Sequence, residues 1–133
     1  MSPNEYQKLA ELTENKDFFG ILKRLGDERT LRLIHAAQGL TTETGEFTDT
    51  LKKYVFYGSP IDEVNMAEEV GDLMWYIAEA CNALGIDLED VMERNIEKLQ
   101  ARYPQKFEAS AALNRNLAQE RKILEGGSNG SGS

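Results

Sequence analysis

The chain has 133 residues, of which 41% are hydrophobic and 29% charged, and 23 acidic against 15 basic side chains give a formal net charge of -8. That length suits one domain that buries roughly two-thirds of its unfolded surface, while an acidic surface repels phosphate backbones and leaves no drive toward DNA or RNA polymers. The longest apolar run, Leu73 to Ala78, is far short of the roughly twenty residues of a membrane span, and the lone Cys81 excludes an intrachain disulfide or a thiolate metal cluster.

Periodicity is helical along nearly the whole chain and no segment sustains the alternation of a half-buried strand, so an all-α fold is expected. Residues 1–20 lack the basic start, apolar core and small-residue cleavage site of a secretory signal, which makes a cytoplasmic location the expectation. Tyr6, Leu9 and Leu12 fall at three-residue steps and predict a short helix over 4–13. Phe18 and Phe19 follow, read as a pin for that first helix or as part of the wall of a ligand pocket. Over 27–57, Leu33, Ala37, Leu40, Phe47, Leu51 and Val55 recur at helical intervals and predict one long helix. Gly39 and Gly45 weaken it by about 1 kcal/mol each relative to Ala. Gly58 supplies a C-terminal cap, and Ser59-Pro60 predicts a sharp reversal.

The next helix, over 62–84, carries Met66, Val70, Leu73, Ile77, Cys81 and Leu84 on one face and ends at Gly85. Asp87 marks the start of another that runs through Arg102 and stops before Pro104. A last polar helix is predicted over 107–124. Short connections make this an antiparallel bundle of four to five helices, with residues 1–125 as one domain. The Gly/Ser/Asn stretch 126–133 is expected to be a flexible tail, native or added for expression. Apolar stretches such as Tyr54 to Tyr57 suit a partner helix and point to a homo-oligomer.

Two acidic pairs stand out, Glu43 with Glu46 and Glu69 with Asp72. Residues three apart share a helix face, so each pair offers two carboxylates to one point. Acidic pairs of this spacing are common on solvated faces, but those faces usually carry Lys or Arg three or four residues on, and these positions hold none. At about 100° per residue the two pairs lie at equal offsets from their helices' apolar stripes, which in antiparallel helices brings all four carboxylates to one edge. Their axial positions differ by several ångströms, a mismatch for the turn and the helix tilt to absorb. Oxygen-only ligation suits a hard cation, Mg²⁺ first and Mn²⁺ next. A di-iron site lacks its histidines, since His35 is the only one and has no Glu three residues before it.

The stretches Gly39-Leu-Thr-Thr-Glu-Thr-Gly-Glu46, Lys52-Lys53, Ala67-Glu-Glu-Val-Gly-Asp-Leu-Met-Trp-Tyr76 and Arg94-Asn-Ile-Glu-Lys-Leu-Gln-Ala-Arg-Tyr-Pro104 resemble the MazG-like nucleoside triphosphate pyrophosphohydrolases of the all-α superfamily. The resemblance covers roughly residues 4 to 108. It implies that Glu43, Glu46, Glu69 and Asp72 hold Mg²⁺, with Mn²⁺ as a possible substitute, and that Glu43 or Glu46 activates a water for attack at the α-phosphorus. A nucleoside or deoxynucleoside triphosphate would then leave as monophosphate and pyrophosphate. It further implies that Asn95, Lys98 and Arg102 touch phosphate or sugar; these lie at i, i+3 and i+7 and share a helix face. Lys53 is another phosphate candidate, equally suited to a salt bridge. His35 and Gln38 could line a base pocket and Trp75 could stack on the base. Similar proteins form dimers or tetramers, so a homodimer or homotetramer is implied.

Two other readings keep the scaffold. One is a non-catalytic helical module that binds a nucleotide or a partner, against which all four carboxylates argue. The other replaces the substrate with phosphoribosyl-ATP, and the 95–104 segment fits it less well.

Overall fold

The computed structural model describes residues 1–126, and among them all regular structure is α-helical. From 127 on, the expected Gly/Ser tail lies outside the described residues. Seven helices occur: α1 (Pro3–Leu12), α2 (Phe18–Leu25), α3 (Glu28–Tyr57), α4 (Glu63–Leu84), α5 (Leu88–Arg102), α6 (Ala109–Leu113) and α7 (Leu117–Leu124). None is long and apolar enough to cross a membrane. The described residues divide into two compact units, one ending at Ala83 and one beginning at Leu84.

Much of the acidic excess is spent on starting helices. Ser2 and Glu5 form a reciprocal capping box at α1, Asp17 accepts from the Gly20 N–H at α2, and Asp27 accepts from both the N–H and the hydroxyl of Thr30 at α3. Asp62 receives the Asn65 N–H at α4, and Asp87 the Glu89 N–H at α5. These caps satisfy donors that a helix cannot satisfy itself. At the other end of α3, Gly58 takes φ 69°, the left-handed conformation that lets the chain reverse.

In the first unit α3 and α4 run antiparallel with a constant register. Gly39 faces Tyr76, Glu43 reaches Asp72, and Thr50 bonds to Asn65, so equal steps along the two helices in opposite directions meet. The axial mismatch expected from the sequence is absorbed because α3 overhangs. Thr50 is level with Asn65, two residues into α4, so the last turn of α3, with Tyr54, Val55, Phe56 and Tyr57, extends past the start of α4. These four side chains are exposed.

The buried side of α3 departs from the apolar stripe read off the sequence. Ala36, Gly39 and Thr50 are its buried residues, on a line turned by about 100° from the stripe through Leu33, Ala37, Leu40, Phe47, Leu51 and Val55, of which Leu33, Leu40 and Phe47 are half-buried. Small residues win this face because they admit a close approach: the Tyr76 ring occupies the space a side chain on Gly39 would need. Leu51 and Val55 stay exposed. Glu43, expected at the edge of the interface, therefore lies within it.

The second unit is held by α5 against α7. Ile123 is 3% exposed, and Glu120, 5% exposed, is gripped by two guanidiniums. Arg102 donates through Nε and Nη2 at 2.9 and 2.7 Å, and Arg115 through Nη2 at 2.6 Å. This bidentate geometry is the one a carboxylate favours. The single helix predicted over 107–124 is broken at Asn114 to Asn116. Asn114 turns its amide back onto the Ser110 carbonyl, and Asn116 caps α7 through the Gln119 N–H.

Candidate metal centre

The site of interest lies in the first unit, on the facing sides of α3 and α4. Glu43, Glu69 and Asp72 bring carboxylate oxygens within 4.8 Å of one another, the one grouping of this kind among the described residues. Glu69 is 3% exposed, Glu43 half-buried and Asp72 exposed, so the cluster grades from the helix interface to solvent. The i, i+3 spacing puts Glu69 and Asp72 on one face of α4, and the constant register delivers Glu43 opposite them. Glu46 lies outside the tight group.

Burial pushes the Glu69 carboxyl above its ordinary value, and the charges of Glu46 and Glu43 push it the same way. Asn65 opposes them by donating its amide to Glu69 Oε1 at 2.8 Å. Three carboxylates this close, one of them desolvated, repel one another until a cation joins them. An all-oxygen donor set of this kind fits a hard divalent ion.

An open groove of about 580 Å³ runs beside the cluster, lined by Thr42, Gly45, Glu46, Asp49, Thr50, Lys53 and Asn65. Lys53 contributes its ammonium there but is tied to Asp49 at 2.8 Å. Asp49, paired with Lys52 and Lys53, is held down at about 2. The His35, Trp75 and Tyr76 rings pack edge to face, with centroids 6.3 Å apart for His35 and Trp75 and 5.6 Å for His35 and Tyr76. His35 and Gln38 are exposed, and Trp75 is 53% exposed. Glu68 faces solvent while Glu69 is buried, as their separation of about 100° on the wheel requires.

The other phosphate candidates belong to the second unit. Asn95 and Lys98 share one face of α5, the Lys98 ammonium donating to Asn95 Oδ1 at 2.6 Å. Arg102 spends Nε and Nη2 of its guanidinium on Glu120. The residues missed in the sequence are Thr50, Asn65, Arg115 and Glu120. Asn65 had a legible signal, since it lies four residues before Glu69 on the same face. The Arg102 to Glu120 pair, eighteen residues apart, had none.

A family model for the MazG nucleotide pyrophosphohydrolase domain matches residues 32–107. The match contains the carboxylate cluster, the groove and all of α5, and leaves out α1, α2, α6 and α7. The Gene 37 protein of Mycobacterium phage L5 is 34% identical over 74 residues, which are 53% of this chain and 65% of that protein, so the chain spans less than two-thirds of this relative's length. No solved structure matches. With more than half of its residues under the family model and the acidic cluster inside the matched stretch, the chain belongs to the MazG nucleotide pyrophosphohydrolase domain family.

Proposed function

We propose that this protein is a Mg²⁺-dependent pyrophosphohydrolase that converts a nucleoside or deoxynucleoside triphosphate to monophosphate and pyrophosphate. The observation that carries the reading is the convergence of Glu43, Glu69 and Asp72 within 4.8 Å on two antiparallel helices. These three, with Glu46 beside them, would hold the cation, and Mn²⁺ would substitute for Mg²⁺. The ion, when bound, neutralises triphosphate charge and polarises the phosphorus.

The chain's own groups do the rest. Glu46, outside the tight group and exposed on the groove, accepts the proton of a water that attacks the α-phosphorus. The new bond is from the water oxygen to the α-phosphorus, the bond broken is to the bridging oxygen of the β-phosphate, and pyrophosphate departs. Glu43 takes this part instead if the cation draws on Glu46. Lys53 in the groove, and Asn95, Lys98 and Arg102 on α5, are assigned to phosphate or sugar. Trp75, His35 and Gln38 are assigned to the base. The exposed Tyr54 to Tyr57 on the overhanging end of α3 suit a second copy of the chain, and a homodimer or homotetramer in the cytoplasm is part of the proposal.

Incubation of the purified protein with each common NTP and dNTP in Mg²⁺ tests this reading. Monophosphate and pyrophosphate, abolished by chelation, are the expected products. No turnover in Mg²⁺ or Mn²⁺ from a folded sample, with nucleotide binding retained, would transfer the assignment to a non-catalytic nucleotide-binding module.

A further inference from the structure

Three side chains of the first unit form a hydrogen-bonded line that ends on the buried carboxylate of the cluster. The Thr50 hydroxyl donates to Asn65 Oδ1 at 2.8 Å, and Asn65 Nδ2 donates to Glu69 Oε1 at 2.8 Å. Thr50 and Glu69, the two ends of the line, are 9% and 3% exposed, and Asn65 between them is half-buried. The Asn65 backbone is itself fixed, its N–H donating to Asp62 Oδ1 at 3.0 Å in the first turn of α4.

The chemistry of the line runs in one direction only. A hydroxyl has a single proton to donate, and the alternative acceptor of Thr50, the Glu46 carbonyl, is 3.4 Å away. The shorter bond to Asn65 therefore decides which end of the amide faces Thr50, and turns the NH₂ end toward Glu69. An amide donor occupies Oε1 without bringing charge and makes no claim on Oε2. A Lys or Arg in the same place would orient the carboxylate equally well but would compete with a cation.

We propose that Thr50 and Asn65 are positioning residues that set the rotamer of the Glu69 carboxylate for divalent-cation binding. The inference rests on the pyrophosphohydrolase reading of the cluster. Partners behind a metal-ligating carboxylate commonly matter to metal affinity by 10–100-fold. The competing account is that the same bonds are only glue between α3 and α4.

The test is Mn²⁺ binding to the full chain without nucleotide, followed by the electron paramagnetic resonance signal of free Mn²⁺. Thr50→Val, Asn65→Ala and Thr50→Ser are compared with the unaltered chain, and melting curves followed by helical circular dichroism are recorded in parallel. Thr50→Val and Asn65→Ala are expected to weaken Mn²⁺ binding by about tenfold, and Thr50→Ser, which restores the hydroxyl, to recover affinity to within about twofold of the unaltered chain. If one of the first two does not fold, the other decides. Lower melting temperatures with unchanged Mn²⁺ affinity would overturn the positioning role while leaving the proposed function intact. Absence of Mn²⁺ binding by the unaltered chain would overturn both.

Discussion

The ring of Tyr76 lies where a side chain on Gly39 would have to go, its Cε1 and Cζ 2.2 Å from the ideal Cβ position. Gly39 is one helical turn before Glu43 and Tyr76 one turn after Asp72, so this contact sets the spacing of α3 and α4 beside the carboxylates. Gly39→Ala gains about 1 kcal/mol in helix propensity but overpacks the interface, at a typical cost of 1–3 kcal/mol. With three ring atoms in the way the upper part of that range applies, and the expected result is a net loss of roughly 1–2 kcal/mol and a fall in turnover. A thermal melt checks it, and an unchanged or higher Tm would mean that Tyr76 swings aside without cost.

Glu69→Gln is expected to separate stability from function. A carboxyl whose folded pKa is raised favours the fold when protonated, so that contribution is lost as pH rises through the raised value. The neutral amide escapes this loss. Metal-free Glu69→Gln should therefore melt higher than the unaltered chain at pH 7, gain little from added Mg²⁺, and turn over roughly 100-fold or more slowly. Melts with and without Mg²⁺ decide it, and a lower Tm in the metal-free variant would contradict the account.

Hydrogen bonds from Arg115 and Arg102 hold the Glu120 carboxyl down at about 2, from 4.5. For a depressed acid the stabilisation is fully present above the unfolded value and is lost as pH falls through the folded one. The unaltered chain should thus lose stability steadily between about pH 4.5 and pH 2. Glu120→Gln should melt lower at pH 7 and show a flatter acid limb. Parallel curves for the two proteins would remove Glu120 as the source.

Lys98→Ala tests the phosphate assignment on α5. Lys98 bonds to its own helix neighbour Asn95, so its loss should leave Tm nearly unchanged. An interaction with the triphosphate predicts a KM raised about tenfold, the range of one charge-assisted hydrogen bond. Steady-state kinetics distinguish this from an unchanged KM, which would make Lys98 a surface residue.

The three long helices were legible to within a residue because their capping acids, Gly58 and Pro104 are strong local signals. The short α2 was not, since Phe18-Phe19-Gly20-Ile21-Leu22 shows no polar spacing, and only its cap Asp17 pointed to it. The two acidic pairs stood out by their i, i+3 spacing, and three of the four carboxylates, Glu43, Glu69 and Asp72, come together while Glu46 lies outside the group. Asn65 could have been read from its place four residues before Glu69, but Thr50 could not, because which residues of α3 and α4 lie level depends on how far α3 overhangs the turn. The buried side of α3 was misread for a related reason. Apolarity marks where a helix can pack, while Ala36 and Gly39 mark where it can pack closely.

The grip on Glu120 bears on where this protein can be cut. The family match stops at residue 107, but the counter-charge for Arg102 arrives thirteen residues later, on a helix outside the match. A fragment trimmed to the matched stretch would retain every carboxylate of the cluster and strand a guanidinium that is 15% exposed in the intact chain. For expression trials, the useful C-terminal boundary is therefore after α7.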